Sequence, residues 1–283
     1  MLLTIIIVIV LVYAMDNILA QKDSSNDNAG AVTKILIYDG QGVIELVYNM
    51  SYIITHIGLN NNNASSVTKV LIYNGQGVMG SSVDGIEDTL NDINNQSISP
   101  NNKFVYNTSS VINSNTLSGY NVLIMPGGEA ADYLSNNEID GNSIKQFVSS
   151  GNAYIGICAG AYAGSNYITG QQAGWGLSPD VNTISEGYEG QLQISTTSFG
   201  TKILNSSLTN IHMDSGPAMT TNNSQIVMAT FADNNTGYMN YPAIIGEAYG
   251  SGRVILSGPH PEMDPENPQL LANMLLWVTK KIN

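Results

Sequence analysis

Short runs of consecutive apolar residues, each closed by a glycine-containing turn, recur along this chain. Val70-Leu71-Ile72-Tyr73, Val122-Leu123-Ile124-Met125, Ala153-Tyr154-Ile155-Gly156-Ile157 and Val254-Ile255-Leu256 are such runs, followed by Gly75-Gln76-Gly77, Pro126-Gly127-Gly128, Cys158-Ala159-Gly160 and Gly258-Pro259. Unbroken apolar runs of this length predict buried strands. Between them the spacing changes to that of helices: a capped helix from Ser81 to Leu90, a turn or two around Ile144–Val148, and a closing amphipathic helix from Pro268 to Trp277 with Leu270, Leu271, Met274, Leu275 and Trp277 on its buried face. Glu189–Ser195 and Gln225–Thr230 read as short additional strands, and Ile211–Pro217 as a polar turn. Apolar strands alternating with helices predict an α/β protein with a mostly parallel, doubly wound, flavodoxin-like sheet.

The first strand occurs twice. Val32–Val43 and Val67–Val78 differ at only two of twelve positions, Ile35/Val70 and Asp39/Asn74. One extra copy does not make a solenoid. The second copy runs on into the Ser81–Leu90 helix and is expected to be the true first strand, whereas the first copy either adds an edge strand or competes for that place. Ahead of both lies Leu2–Met15, an uninterrupted apolar run that ends at Asp16, with a small residue at Ala20. That run is short for a membrane span, so it reads as a secretory signal, with an uncleaved membrane tether through residues 2–15 as the alternative. The expected organisation is therefore 1–20 signal or anchor, 21–66 linker with the duplicated strand and loop, and 67–283 a single domain.

Composition narrows the partners. The chain has 283 residues, 43% of them hydrophobic, which suffices for a full core. Its net charge of −13, with nine Lys plus Arg and no basic run, argues against nucleic acid and anionic headgroups. A single cysteine precludes an intramolecular disulfide, and seven Asn-x-Ser/Thr sequons suit a secreted or cell-surface protein, although an asparagine-rich chain generates some of these by composition. No full phosphate-binding motif follows Gly40-Gln41-Gly42 or Gly75-Gln76-Gly77, and His212 with Asp214 is too small a set for a metal site. No cofactor or metal is expected.

The candidate chemistry centres on that cysteine. Cys158 lies between a predicted strand and a predicted helix in Gly156-Ile157-Cys158-Ala159-Gly160, where small flanking residues permit a sharp nucleophile elbow and the helix start favours a thiolate. A lone cysteine in an apolar segment is equally a small core hydrophobe. Of the three histidines, His260 ends a predicted strand in Gly258-Pro259-His260-Pro261-Glu262, the placement of a base with an orienting carboxylate, Glu262, two residues on. The backbone amides of Gly128 and Ala159 are candidate oxyanion donors.

Pro-Gly-Gly, Gly-x-Cys-x-Gly some 30 residues later and His-x-Glu near the C-terminus occur in the order seen in class I glutamine amidotransferase-like domains. Gly156–Gly164 and Tyr249–Glu262 resemble more closely the domain at the N-terminus of some eukaryotic biotin–protein ligases, from about Val67 to the end of the chain. The resemblance implies Cys158 as nucleophile, His260 as base and Glu262 as orienting acid. The loop after the first strand of a doubly wound sheet lies at its crevice, so Asn74 and Gln76, with Gly127 and Tyr162, are expected beside a small-molecule or peptide-like substrate. The resemblance does not imply biotin ligation, because the adenylate loop of the ligase domain is missing and Arg253 is the only arginine. Tyr162 also stands where glutaminases typically carry glutamine. The expected function is that of an exported cysteine hydrolase or amidase acting on an amide or related carbonyl, and the alternative is a non-catalytic ligand-binding or interaction domain that keeps the pocket.

Overall fold

The computed structural model describes the strands Val32–Tyr38 and Val43–Asn49, and residues 66–282 apart from Ser206. The expected signal or anchor, and the linker outside those two strands, lie outside the described residues. The chain divides into two units, Met1–Ala64 and Ser65–Asn283. In the first, β1 (Val32–Tyr38) pairs antiparallel with β2 (Val43–Asn49) as a two-stranded sheet, with Val32 opposite Asn49 and Tyr38 opposite Val43.

The second unit is built on a nine-stranded sheet. The second copy of the repeat is β3 (Ser66–Tyr73), followed by α1 (Gly80–Asn95) and β4 (Asn102–Ser109). Next come α2 (Ser114–Leu117), β5 (Val122–Met125), α3 (Ala130–Ser135), α4 (Gly141–Ser149), β6 (Ala153–Ile157) and α5 (Ala159–Gly164). β7 (Ser165–Ile168), β8 (Ser178–Ile184), β9 (Glu189–Thr196), α6 (Ser198–Leu204), β10 (Leu208–Asp214) and β11 (Ala218–Thr220) follow. The chain closes with β12 (Val227–Phe231), β13 (Pro242–Tyr249), β14 (Gly252–Ser257) and α7 (Pro268–Val278). The large sheet runs β10-β9-β12-β13-β14-β6-β5-β3-β4, and β11-β8-β7 form a separate three-stranded sheet.

The sheet is mixed rather than mostly parallel. From β4 to β14 every pair is parallel, and from β14 to β10 every pair is antiparallel. The expected parallel architecture therefore holds for the half built from the apolar runs. In that half alternate residues serve two cores, as strands covered on both faces require. Val70 and Ile72 join Val83, Ile86 and Leu90 of α1 and Leu271, Met274 and Leu275 of α7 on one face. Leu71 and Tyr73 join Tyr133 of α3, Ile144 and Val148 of α4 and the alanines of α5 on the other.

Two local expectations change. Helix α1 forms, but it begins at Gly80 with Met79 as its N-cap, and a methionine side chain carries no oxygen to accept from the first-turn amides. Residues 208–214 form a strand instead of the expected turn, with Ile211 and Met213 buried and the polar residues between them outward. Among the described residues no helix is long and apolar enough to cross a membrane.

Order in the parallel half places the site. After β3 the chain goes first to one side, to β4, and then back across to β5, so the carboxyl ends of β3 and β5 flank a switch in winding direction. Crevices at such switch points are where open α/β sheets bind ligands. The loops after β3, β5, β6 and β14 all converge on that edge, and each contains one of the glycine-rich motifs of the sequence.

Candidate active site

Cys158 occupies the one-residue step between β6 and α5, with φ 50° and ψ −107°. A non-glycine residue held there stores on the order of 1–3 kcal/mol of strain, and surrounding bonds hold it in place. Its N–H donates to the Ser257 carbonyl of the parallel neighbour β14 at 2.9 Å, and its carbonyl accepts from the amides of Ala161 and Tyr162 at 2.9 and 3.0 Å. The Gly160 amide donates to the Pro126 carbonyl at 3.2 Å, and the Tyr154 hydroxyl to the Gly160 carbonyl at 2.7 Å. Gly160 passes so close to β5 that a Cβ would collide with the Met125 carbonyl. The thiol is 4% exposed and donates to the Asp214 carbonyl at 3.3 Å.

Beside it, the loop after β14 supplies a buried histidine and carboxylate. His260 Nδ1 and Glu262 Oε1 are 2.8 Å apart, and both side chains are fully buried. The His260 backbone amide donates to the His212 carbonyl at 2.9 Å, tying this loop to the end of β10, where the His212 ring lies 6.1 Å from that of His260. Burial alone would depress the imidazole pKa. The opposite charge of Glu262, with side-chain interactions to Cys158 and Glu262, outweighs burial and pushes it up to about 10. Nε2 of His260 and Oε2 of Glu262 have no hydrogen-bond partner among the described residues. Thus one imidazole nitrogen is fixed by the carboxylate and the other is unpartnered near the thiol.

Two residues not singled out from the sequence complete the framework. The Ser82 hydroxyl, on the first turn of α1, accepts from the Gly127 amide at 2.9 Å and donates to Glu262 Oε1 at 2.6 Å. Tyr133 donates to the Gly127 carbonyl at 3.2 Å. Ser82 and Glu262 are 180 positions apart, so no local pattern signals the pairing. Gly127 is required sterically, since a Cβ there would lie 2.6 Å from His260 Cε1. Its role is to seat the imidazole.

A cleft of about 520 Å³ opens over Cys158. Gly77, Val78 and Met79 of the β3 loop line it, with Gly128 to Ala131 after β5, Tyr162 of α5, and Ile168, Gln171, Ser185, Glu186, Asp214 and Ser215. The β3 and β5 loops are stitched together here by Met79 N–H to Gly127 O at 2.8 Å and Glu129 N–H to Gly77 O at 2.7 Å. Of the expected substrate-side residues, Tyr162 lines the cleft and its hydroxyl donates to the Ser215 carbonyl at 3.1 Å. Gly127 lies behind the lining, against His260. Asn74 and Gln76 are exposed, earlier in the β3 loop than the lining residues. Gly128 is on the lining, and Ala159 is buried at the start of α5 next to Cys158.

The fold and this convergence of loops define an α/β domain with a cysteine-centred cleft at the carboxyl edge of its parallel strands. Residues 68–174 match the family described as "Biotin-protein ligase, N terminal". The chain is 27% identical over 172 residues to the biotin–protein ligase of Schizosaccharomyces pombe, an alignment covering 53% of this chain and 27% of the relative. It therefore spans about a quarter of that relative's length. Among solved structures, PurLQS from Thermotoga maritima superposes with a TM-score of 0.54 at 14% identity, covering 74% of this chain and 98% of that one. A ThuA-like protein from Bacteroides uniformis superposes with a TM-score of 0.51 at 16% identity, covering 75% and 91%. At such identities these two likenesses establish the fold alone.

Proposed function

We propose that this domain is an exported cysteine-dependent hydrolase of amides or related carbonyl compounds, with Cys158 as nucleophile on a nucleophile elbow. The observation that carries the reading is the buried His260 whose Nδ1 is bound by Glu262 while Nε2 has no partner near Cys158. With its pKa raised to about 10 the imidazole holds a proton at neutral pH, as the partner of a reactive cysteine sulfur does in a thiolate–imidazolium pair. In the proposed cycle the proton of Cys158 is held on His260 and the sulfur attacks the substrate carbonyl. The oxyanion is met by the amides of Gly128 and Ala159. The C–N bond then breaks as His260 protonates the leaving amine, forming a thioester. Water, deprotonated by His260, releases the acid and restores the thiol. Glu262 holds the ring, and Ser82 and Gly127 hold Glu262 and the ring in turn.

The ligase activity in the name of the S. pombe relative is not carried over, because this chain corresponds to only 27% of that protein. Export rests on the apolar run at residues 2–15 and the sequons, and the N-terminal mass of protein collected outside expressing cells checks it: a start after Ala20 is expected, and an intact Met1 overturns cleavage.

The chemistry is tested with p-nitrophenyl acetate. The intact chain should release close to one equivalent of p-nitrophenol in a burst with an acetyl group on Cys158, and Glu262→Gln should slow the burst on the order of tenfold or more. Cys158→Ala should lose it. A second reading, favoured by the 4% exposure of Cys158 and its bond to the Asp214 carbonyl, is a binding domain with a packed core thiol. Acylation no faster than that of a free thiol, and equal in His260→Ala and wild type, would establish that reading instead.

A further inference from the structure

The turn that follows β10 sits on the sulfur of Cys158. The Asp214 carbonyl accepts from the thiol at 3.3 Å, and a sulfur only 4% exposed leaves no room for a substrate carbonyl carbon at the ~3–3.5 Å from which attack begins. The same turn touches the loop that carries His260, since Gly216 passes so close that a Cβ there would collide with the Gly258 carbonyl. Between these contacts Ser215 is held at φ 52°, in the left-handed region that a non-glycine residue enters at a cost. Few bonds keep the turn down. β10 is an edge strand of the large sheet, paired only with β9. Beyond it, the Ser215 amide donates to the Tyr188 carbonyl at 2.9 Å, and the Ser215 carbonyl accepts from the Tyr162 hydroxyl at 3.1 Å. Tyr162 stands one helical turn after Cys158 and its amide donates to the Cys158 carbonyl at 3.0 Å, so its place relative to the sulfur is fixed. Burial raises the pKa of this phenol and keeps it a donor at neutral pH.

We infer that Asp214–Gly216 is a cap over Cys158 and that Tyr162 is its latch, a positioning residue whose hydroxyl, by holding the Ser215 carbonyl, sets how often the sulfur is uncovered. With the cap down, the sulfur's proton is bound to the Asp214 carbonyl and the approach to the sulfur is filled. When the turn lifts, the bond from Tyr162 breaks, Ser215 leaves its left-handed conformation, and the sulfur opens into the cleft that Asp214 and Ser215 line. Gly216 supplies the backbone freedom for that movement, while the Pro217 carbonyl stays packed on Gly258. A covered sulfur and a reactive one are then two positions of one turn. The consequence for turnover rests on the hydrolase reading, but the cap does not.

Alkylation by iodoacetamide, followed by mass in the intact chain, reads the cap without any substrate, because Cys158 is the only cysteine. Tyr162→Phe removes one oxygen and should speed alkylation about threefold to tenfold, the opening gained from one lost hydrogen bond. Low urea should leave both rates unchanged, since lifting a turn exposes little surface, whereas reaction through global unfolding climbs steeply with urea. Hydrogen exchange gives a second reading. In wild type the Ser215 amide should exchange at least about tenfold faster than that of Ile155, in a strand paired on both sides. Tyr162→Phe should speed Ser215 by about the same factor as alkylation and leave Ile155 in place, which a general loss of stability would not do. A thermal melt verifies that the variant is folded, and the wild-type comparison stands without it. Equal alkylation in Tyr162→Phe and wild type, a wild-type rate that rises in low urea, or a Ser215 amide as slow as Ile155 overturns the cap. Faster alkylation of Tyr162→Phe without a His260-dependent p-nitrophenol burst would retain the cap over a packed thiol and discard the hydrolase. A His260-dependent burst with alkylation indifferent to Tyr162 would do the reverse.

Discussion

The two copies of the repeat share ten of twelve residues and end in different structures. Val32–Tyr38 is one arm of an antiparallel pair with Val43–Asn49, whereas Ser66–Tyr73 is a parallel strand flanked by β4 and β5 in the nine-stranded sheet. What differs is the sequence that follows. After Val43 the chain reads Ile44-Glu45-Leu46-Val47-Tyr48, a β-favouring run that can fold back on the strand before it. After Val78 it reads Met79-Gly80-Ser81-Ser82-Val83-Asp84-Gly85-Ile86, which has helical spacing and forms α1. A strand's own residues thus set its propensity, and the next dozen residues set its partner. In the second copy the glycine loop reaches the cleft, and the hydroxyl of Ser82 reaches Glu262. At the matching place in the first copy stands Val47.

Matched substitutions break or sharpen this contrast. The largest difference is expected for Leu71→Ala against Leu36→Ala. Leu71 is 2% exposed in the core beneath α4 and α5, and removing a buried leucine costs about 2–5 kcal/mol. Urea unfolding of the residue 65–283 unit should shift by that amount for Leu71→Ala and stay in place for Leu36→Ala. Equal shifts would mean that both copies support one core.

Next in size is Ser82→Ala, which leaves the Gly127 amide and part of the Glu262 carboxylate without their partner. An orphaned buried group costs about 1–3 kcal/mol. The same network makes stability depend on pH. The His260 pKa is raised in the folded chain, so its contribution is fully present below about pH 6.5, the unfolded value, and is lost as pH rises through about 10. Unfolding free energy should therefore decline across that interval in wild type and decline less in His260→Gln. A flat wild-type profile would count against the buried ion pair.

Gly77→Ala against Gly42→Ala gives a smaller contrast. Gly77 has φ +83°, and a Cβ would lie 2.5 Å from Asp132 Cβ. Alanine there is expected to destabilise by more than about 1 kcal/mol and to slow acylation of Cys158, because Gly77 O holds Glu129 N across the cleft. The same change at Gly42 should do neither, by melting and by p-nitrophenol burst.

These contrasts also mark what the sequence makes legible. The parallel half and the convergence of Gly77, Gly128, Cys158 and His260 on one edge follow from apolar runs and their glycine turns, which are local signals. β4 and β8 are polar at several positions and partly exposed, so they carry no such run. β10 shows the period-2 pattern of an edge strand, buried at Ile211 and Met213, but Asn210, His212 and Asp214 between them read as a turn. Ser82, Tyr133 and Ser215 act through partners or cavities that only the folded chain assembles. Periodicity says which face of an element is buried, not which distant hydroxyl or carboxylate it meets.

The smallest effect is expected from deleting residues 32–65, and a near-null result there is the most demanding test of the comparison. Every strand of the nine-stranded sheet comes from Ser66 onward. Ser66 itself must stay, since its amide donates to the Asn101 carbonyl at 2.9 Å and its hydroxyl to Asn102 Oδ1 at 2.5 Å, tying the start of β3 to β4. The shortened chain should unfold cooperatively, within about 0.5 kcal/mol of the full chain, as expected when no buried contact is lost. It should keep the decline in stability above pH 6.5, because His260, Glu262 and Ser82 all lie in the retained unit. Loss of cooperative unfolding would place the first copy in the core after all.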